Sequence, residues 1–229
     1  MHLLLIAIIL VLLVFGPQLW ARYTFQRYAK PLNRISGTGG ELARHLLDRF
    51  DMEDVQVEET EPGGDHYDPV SKTVRLSPDN YKNNSLTAVA VATHEVGHAI
   101  QHQRNEASLK LRTRLVRLAQ SAQQIGAGAM FIVPIVMAIT RMPSTGILFA
   151  LLGLLSMGSA TLVHLVTLPV ELDASFGKAL PILQQGEYIK AEDEVAIRRI
   201  LKAAALTYVA ASLASLLNIW RWLALLRRA

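Results

Sequence analysis

The chain contains no cysteine. That excludes an intramolecular disulfide framework, a cysteine-ligated zinc site and a cysteine nucleophile. Charge is scarce as well. Of 229 residues, 18% are charged and 51% hydrophobic, a balance that excludes a disordered chain. The 23 basic and 19 acidic residues leave a net charge of +4, too small an excess to point to nucleic acid. No internal repeat is visible. What the sequence has instead is long charge-free runs, unevenly placed.

No charge occurs from Leu3 to Ala21, and residues 3–15 read LLLIAIILVLLVF. This predicts a transmembrane anchor over 1–21, since a bilayer needs about 20 apolar residues. It reads as retained rather than cleaved: no Lys or Arg precedes it, and Gly16-Pro17-Gln18-Leu19-Trp20 follows. Trp20 and Tyr23 would then sit at the headgroup level. From Leu118 to Val170 the single charged residue is Arg141, beside Met142-Pro143-Ser144-Thr145-Gly146. That pattern predicts a transmembrane hairpin over 122–168. A last candidate span covers 203–220, with the basic tail to 229 behind it. Lys and Arg cluster on one side of the first three spans, which predicts a bacterial cytoplasmic (inner) membrane protein whose polar segments face the cytoplasm. Residues 109–118, LKLRTRLVRL, predict a basic amphipathic helix (106–121) on the lipid surface.

The polar segment 22–121 has its own signals. Thr38 and Glu41 have capping-box spacing ahead of Leu42, Leu46 and Phe50, which predicts a helix. Val55–Val57 and Thr73–Ser77 alternate like short strands. The second of these is a candidate for holding an extended peptide by strand addition. His66 and Tyr67 fall in the connection between them, read as a loop. Ser85 predicts the cap of a helix over about 86–104.

That helix carries Thr93-His94-Glu95-Val96-Gly97-His98-Ala99, an H-E-x-x-H pattern. Histidines four apart leave one helical face, so both imidazoles can meet a single tetrahedral zinc ion. Glu95, beside the first of them, can reach a water activated by the metal without being a ligand. The preceding turns, Ala88-Val89-Ala90-Val91-Ala92, predict a buried helix, where two histidines and a glutamate need a reason to be present.

A hydrolytic zinc site needs a third protein ligand. Without cysteine it must be His, Asp or Glu. The next polar stretch after the hairpin is Pro169-Val170-Glu171-Leu172-Asp173-Ala174-Ser175. Glu171 is the leading candidate, with Pro169 opening its helix. Asp173 and His164 are its competitors. His102, one turn past His98, could steady a ligand or substrate. His66 and Tyr67 could stabilise an oxyanion.

The run Ala90–Gln101, with Leu168–Ser175 downstream and Asp65-His66-Tyr67-Asp68-Pro69 and Thr73–Ser77 upstream, resembles the bacterial membrane-bound neutral zinc metallopeptidase family, often called YugP-like. The resemblance spans nearly the whole chain. It implies zinc ligands at His94, His98 and Glu171, and a catalytic base at Glu95. A more distant similarity is to prenyl-protease-like membrane metallopeptidases, whose third-ligand helix reads E-x-x-x-D. Ser175 stands here in place of that final Asp, so Asp173 or another group would have to steady a ligand histidine.

The expected fold is mostly α: a multi-pass membrane protein with a small α+β zincin-like cytoplasmic catalytic domain carrying H-E-x-x-H on a helix. The expected divisions are 1–21, 22–121, 122–168, 169–202 and 203–229. The expected function is a membrane-embedded zinc metalloendopeptidase with one Zn²⁺ per chain. Its partners would be a peptide or membrane-protein substrate and the lipid bilayer, and not nucleic acid. The alternative is a catalytically silent zinc-binding membrane protein with a structural or regulatory role.

Overall fold

The computed structural model describes residues 2–141, 151, 163 and 166–207. In chain order the elements are α1 (His2–Arg27), α2 (Gly39–Arg49), β1 (Gln56–Glu59), β2 (His66–Asp68), β3 (Thr73–Leu76), α3 (Pro78–Lys82), α4 (Leu86–Gln103) and α5 (Ala107–Thr140). Residues 166–185 form one continuous helix whose middle, Asp173–Ala179, is π-helical. Residues 194–207 are helical again. The chain divides into two compact units. One comprises Pro17–Lys110 and Leu168–Thr207; the other includes the described residues 2–16 and 111–141.

The first unit is mostly helical with one small sheet. The strand order is β1-β3-β2. β1 runs parallel to β3, with Val57 opposite Val74, and β2 runs antiparallel to β3, with Tyr67 opposite Val74. Strand β3 is therefore hydrogen-bonded on both sides, so it has no free edge on which to receive a peptide. His66 and Tyr67 lie on β2, not in a loop. Pairing with β3 supplied the strand that three residues cannot specify alone.

Local signals explain the helix starts. The Thr38 hydroxyl accepts from the Glu41 amide at 3.2 Å, and the Glu41 carboxylate accepts from the Thr38 amide at 2.8 Å, which completes the capping box of α2. Ser85 Oγ accepts from the Ala88 amide at 3.1 Å and starts α4. Every residue of α4 from Leu86 to Gln101 is buried. The core around it takes Leu46 and Leu47 from α2, Val74 and Leu76 from β3, and Leu183, Ile197, Ile200 and Leu201 from the C-terminal helices. Each such side chain contributes about 1.5–3 kcal/mol by leaving water.

The membrane expectation is corrected. Among the described residues, no helix is long and apolar enough to cross a membrane, so the multi-pass fold does not stand. Composition gives the reason. The unbroken apolar run at 3–15 rises only about 20 Å as a helix, against a hydrocarbon thickness of about 30 Å. The amphipathic segment and the expected second span are one helix, α5. Its charge-free part begins with Gln120, Ser121, Gln123 and Gln124, which leaves roughly 24 Å of apolar length. Most of 147–168, and residues 208–229, lie outside the described residues.

Replacing Thr38 with Ala removes the cap of α2. It is expected to cost about 1 kcal/mol, read as a lower urea midpoint with an unchanged slope.

Candidate metal centre

His94 and His98 project from α4 on one face, their rings edge to face with centroids 4.8 Å apart. The helix of residues 166–185 brings Glu171 against them. Its Oε2 lies 3.4 Å from His94 Nε2 and 3.2 Å from His98 Nε2. The carboxylate is 0% exposed. The ligand atoms of the three residues all lie within 4.8 Å of one another. Zinc bonds of about 2.0–2.1 Å to nitrogen and oxygen set tetrahedral edges of about 3.3 Å. Both measured separations match that edge, so the donor set fits one Zn²⁺.

The hydrogen bonds behind the histidines fix which ring nitrogen is available. Ser175 Oγ donates its one proton to the Leu201 carbonyl at 3.0 Å. Toward His94 Nδ1, 2.9 Å away, it can therefore only accept. The proton of His94 thus sits on Nδ1, and Nε2 presents a lone pair to the site. Gln101 treats His98 likewise. Its amide nitrogen donates to the Val170 carbonyl at 3.0 Å and to Asp173 Oδ2 at 2.8 Å. Its carbonyl oxygen then accepts from His98 Nδ1 at 2.9 Å. Outer partners of this kind fix ring orientation and raise ligand affinity. Neither residue stood out in the sequence as a partner of the ligands. Their spacing does carry the signal, since Gln101 lies three residues past His98 and Ser175 four past Glu171, each one helical turn on.

Two glycines make the approach possible. A Cβ on Gly97 would lie 2.8 Å from the Ala174 carbonyl oxygen, so α4 and the π-helix meet there backbone to backbone. A Cβ on Gly177 would collide with the Asp173 carboxylate, which folds back over that position. The π-helical turn follows directly on Glu171 and Leu172; such turns are frequent at functional sites. The helix is already formed at residues 166–168, so Pro169 lies inside it rather than opening it.

The remaining sequence candidates fall in different places. Glu95 is buried on α4 beside His94. Asp173 stands outside the ligand set; its Oδ2 accepts from Gln101 and from Lys178, the latter at 2.7 Å. Burial pushes the Asp173 carboxyl up, but the hydrogen bonds from Lys178 and Gln101 outweigh this and hold it below the ordinary carboxylate value. His102 Nδ1 pairs with the Tyr67 hydroxyl at 2.7 Å, and both line a cavity of about 260 Å³ with Met52, Asp54 and Ala99. Burial, aided by the negative charges of Asp54 and Asp68, pushes the Tyr67 phenol up to about 12. His66 Nδ1 bonds the Gly64 carbonyl at 2.6 Å, within its own turn. His164 lies outside the described residues.

An H-E-x-x-H helix closed by a buried glutamate from a second helix defines the metal centre of a zinc peptidase. The family described as "Putative neutral zinc metallopeptidase" matches residues 3–227, and the chain belongs to it. Over 220 residues it is 35% identical to "Putative membrane protease YugP" of Bacillus subtilis (strain 168), covering 94% of each chain. No solved structure matches it.

Ser175→Ala leaves the His94 Nδ1 proton without its acceptor while keeping the side-chain volume close. Zinc affinity is expected to fall about tenfold or more, measured by competition with a chelator, with the circular dichroism spectrum unchanged.

Proposed function

We propose that the chain is a zinc metalloendopeptidase that hydrolyses peptide bonds. The observation that carries this reading is the fully buried Glu171 carboxylate, aimed at the Nε2 atoms of two histidines whose Nδ1 atoms are already engaged. Two Nε2 atoms and one buried carboxylate oxygen at tetrahedral-edge spacing, with both Nδ1 atoms engaged behind them, are the donor arrangement a single zinc ion takes. The family description and the relative's name, a protease, support the same reading.

His94, His98 and Glu171 would hold the ion. Bound there, zinc polarises the scissile carbonyl and lowers the pKa of a water. Glu95 accepts the proton of the attacking water on its carboxylate and delivers it to the leaving nitrogen. Ser175 and Gln101 keep both imidazoles in the ligating tautomer throughout. The Tyr67–His102 pair lines a cavity whose walls include none of His94, Glu95, His98 and Glu171, so it is given no part in the reaction.

Four proteins and two measurements test the reading. Wild-type chain is expected to carry one zinc, lost in His94→Ala and in Glu171→Ala, by elemental analysis. Glu95→Gln is expected to keep its zinc and lose peptide cleavage by a factor of about 10² or more. Zinc-free folded wild type, even after zinc is restored, would overturn the assignment; equal cleavage by Glu95→Gln would leave a silent zinc protein. Removing zinc with a chelator should also lower the melting temperature, because an ion that binds only the folded state stabilises it.

A further inference from the structure

Lys178 lies seven residues beyond Glu171 on the same helix, and its side chain is only 13% exposed. A lysine so nearly covered needs partners. It has two: Asp173 Oδ2 at 2.7 Å and Glu106 Oε1 at 3.2 Å. From there the contacts run inward. Asp173 Oδ2 accepts from Gln101 Nε2 at 2.8 Å, and Gln101 Oε1 accepts from His98 Nδ1 at 2.9 Å. We propose that Lys178 is a positioning residue for the metal ligand His98, acting through Asp173 and Gln101.

The argument turns on the Gln101 amide. Its two ends are nearly the same shape, so only its partners decide which end faces His98. Two acceptors hold the nitrogen end away from the ring: the Val170 carbonyl and Asp173. The first belongs to the backbone and is fixed. The second is a side chain that could turn to water, since Asp173 is 40% exposed. Lys178 is what ties it down. With the lysine gone, Asp173 loses its bonded cation, keeps only the more distant charge of Arg104 and can turn out, and Gln101 keeps one anchor instead of two. A flipped amide would offer N–H to His98 Nδ1. That partner demands the other tautomer, with the proton on Nε2, which cannot ligate a metal. Gly177 belongs to the same device. A Cβ there would overlap the Asp173 carboxylate, so the position is kept bare where the carboxylate folds back.

His94 supplies an internal control. Its Nδ1 is held by Ser175, which leans on the Leu201 carbonyl with no charged group in the path. Loss of Lys178 should therefore change one ligand and not the other. A lysine that only tethered the start of α5 through Glu106 would do neither.

The inference rests on the metal-centre reading, but its test does not need turnover. Nitrogen-15 spectra of the full-length, zinc-loaded chain report the Nδ1 site of each ligand histidine, with Nε2 held by the ion. Wild type is expected to show Nδ1-protonated His94 and His98. Lys178→Met is expected to shift the Nδ1 signal of His98 alone, together with a zinc affinity about tenfold lower or worse. Lys178→Arg should restore both. Asp173→Asn, which removes the charge Lys178 holds, should reproduce the His98 change, and it decides the matter if Lys178→Met does not fold. Three results would overturn the proposal: an unchanged His98 signal, His94 and His98 shifting together, or Glu106→Gln reproducing the effect. Failure of Glu95-dependent cleavage would instead strike the peptidase reading and leave these spectra as they are.

Discussion

A carboxylate with no solvent exposure is the constraint around which this unit is built. Burying the Glu171 charge costs several kcal/mol unless it is paired and hydrogen-bonded. Two imidazole nitrogens meet it at 3.2 and 3.4 Å, and a divalent cation among the three would pair it fully. That one requirement accounts for features otherwise unrelated. Helix α4 is buried from Leu86 to Gln101 because the histidines it carries must meet that carboxylate inside the core. Gly97 lacks a side chain because the helix bearing Glu171 has to come within backbone contact. The short sheet and α2 close the other sides.

The two ligand histidines are supported by different chemistry. His94 leans on a hydroxyl that is itself anchored to backbone. His98 leans on an amide whose orientation is set by a backbone carbonyl and a charged pair. Both supports are neutral where they touch the ring, so neither the Asp173 nor the Lys178 charge falls directly on an Nδ1 atom. Glu171 alone brings formal charge to the donor set. A neutral support leaves the ligand less basic than a carboxylate would.

Much of this was legible in the residues. The Thr38–Glu41 pair and Ser85 mark helix starts through spacing that needs no tertiary context. The four-residue interval between His94 and His98 marks a shared face. The third donor could be narrowed to Glu171, Asp173 or His164 but not chosen by spacing alone, because 73 residues separate His98 from Glu171. What chose it was the meeting of two helices, which depends on Gly97 and the core. Strand β2 was read as loop because its order comes from pairing with β3, not from its own three residues. The multi-pass reading fails, where the described residues bear on it, for the opposite reason. Absence of charge was counted as apolarity, although glutamines and serines shorten the apolar length of α5. The supports at Gln101 and Ser175 lay one turn from residues already singled out, but a polar residue one turn away is common and says little until its partners are known.

The π-helical stretch Asp173–Ala179 has a consequence for how this segment can vary. A π turn holds one residue more than an α turn. A one-residue deletion there that spared Asp173, Ser175, Gly177 and Lys178 would let the segment relax to a regular α-helix. Because the π turn absorbs the extra residue, the part beyond would keep its face to within about 30°, and Leu180 and Leu183 with it. Ser175 and Lys178, inside the turn, would change their angular positions relative to Glu171 together. Exchanges of one residue for another within the stretch test single contacts; a change of length tests all of them at once. Natural variation here should therefore run through substitutions, with insertions and deletions accumulating instead in the turns at 60–65 and 186–190.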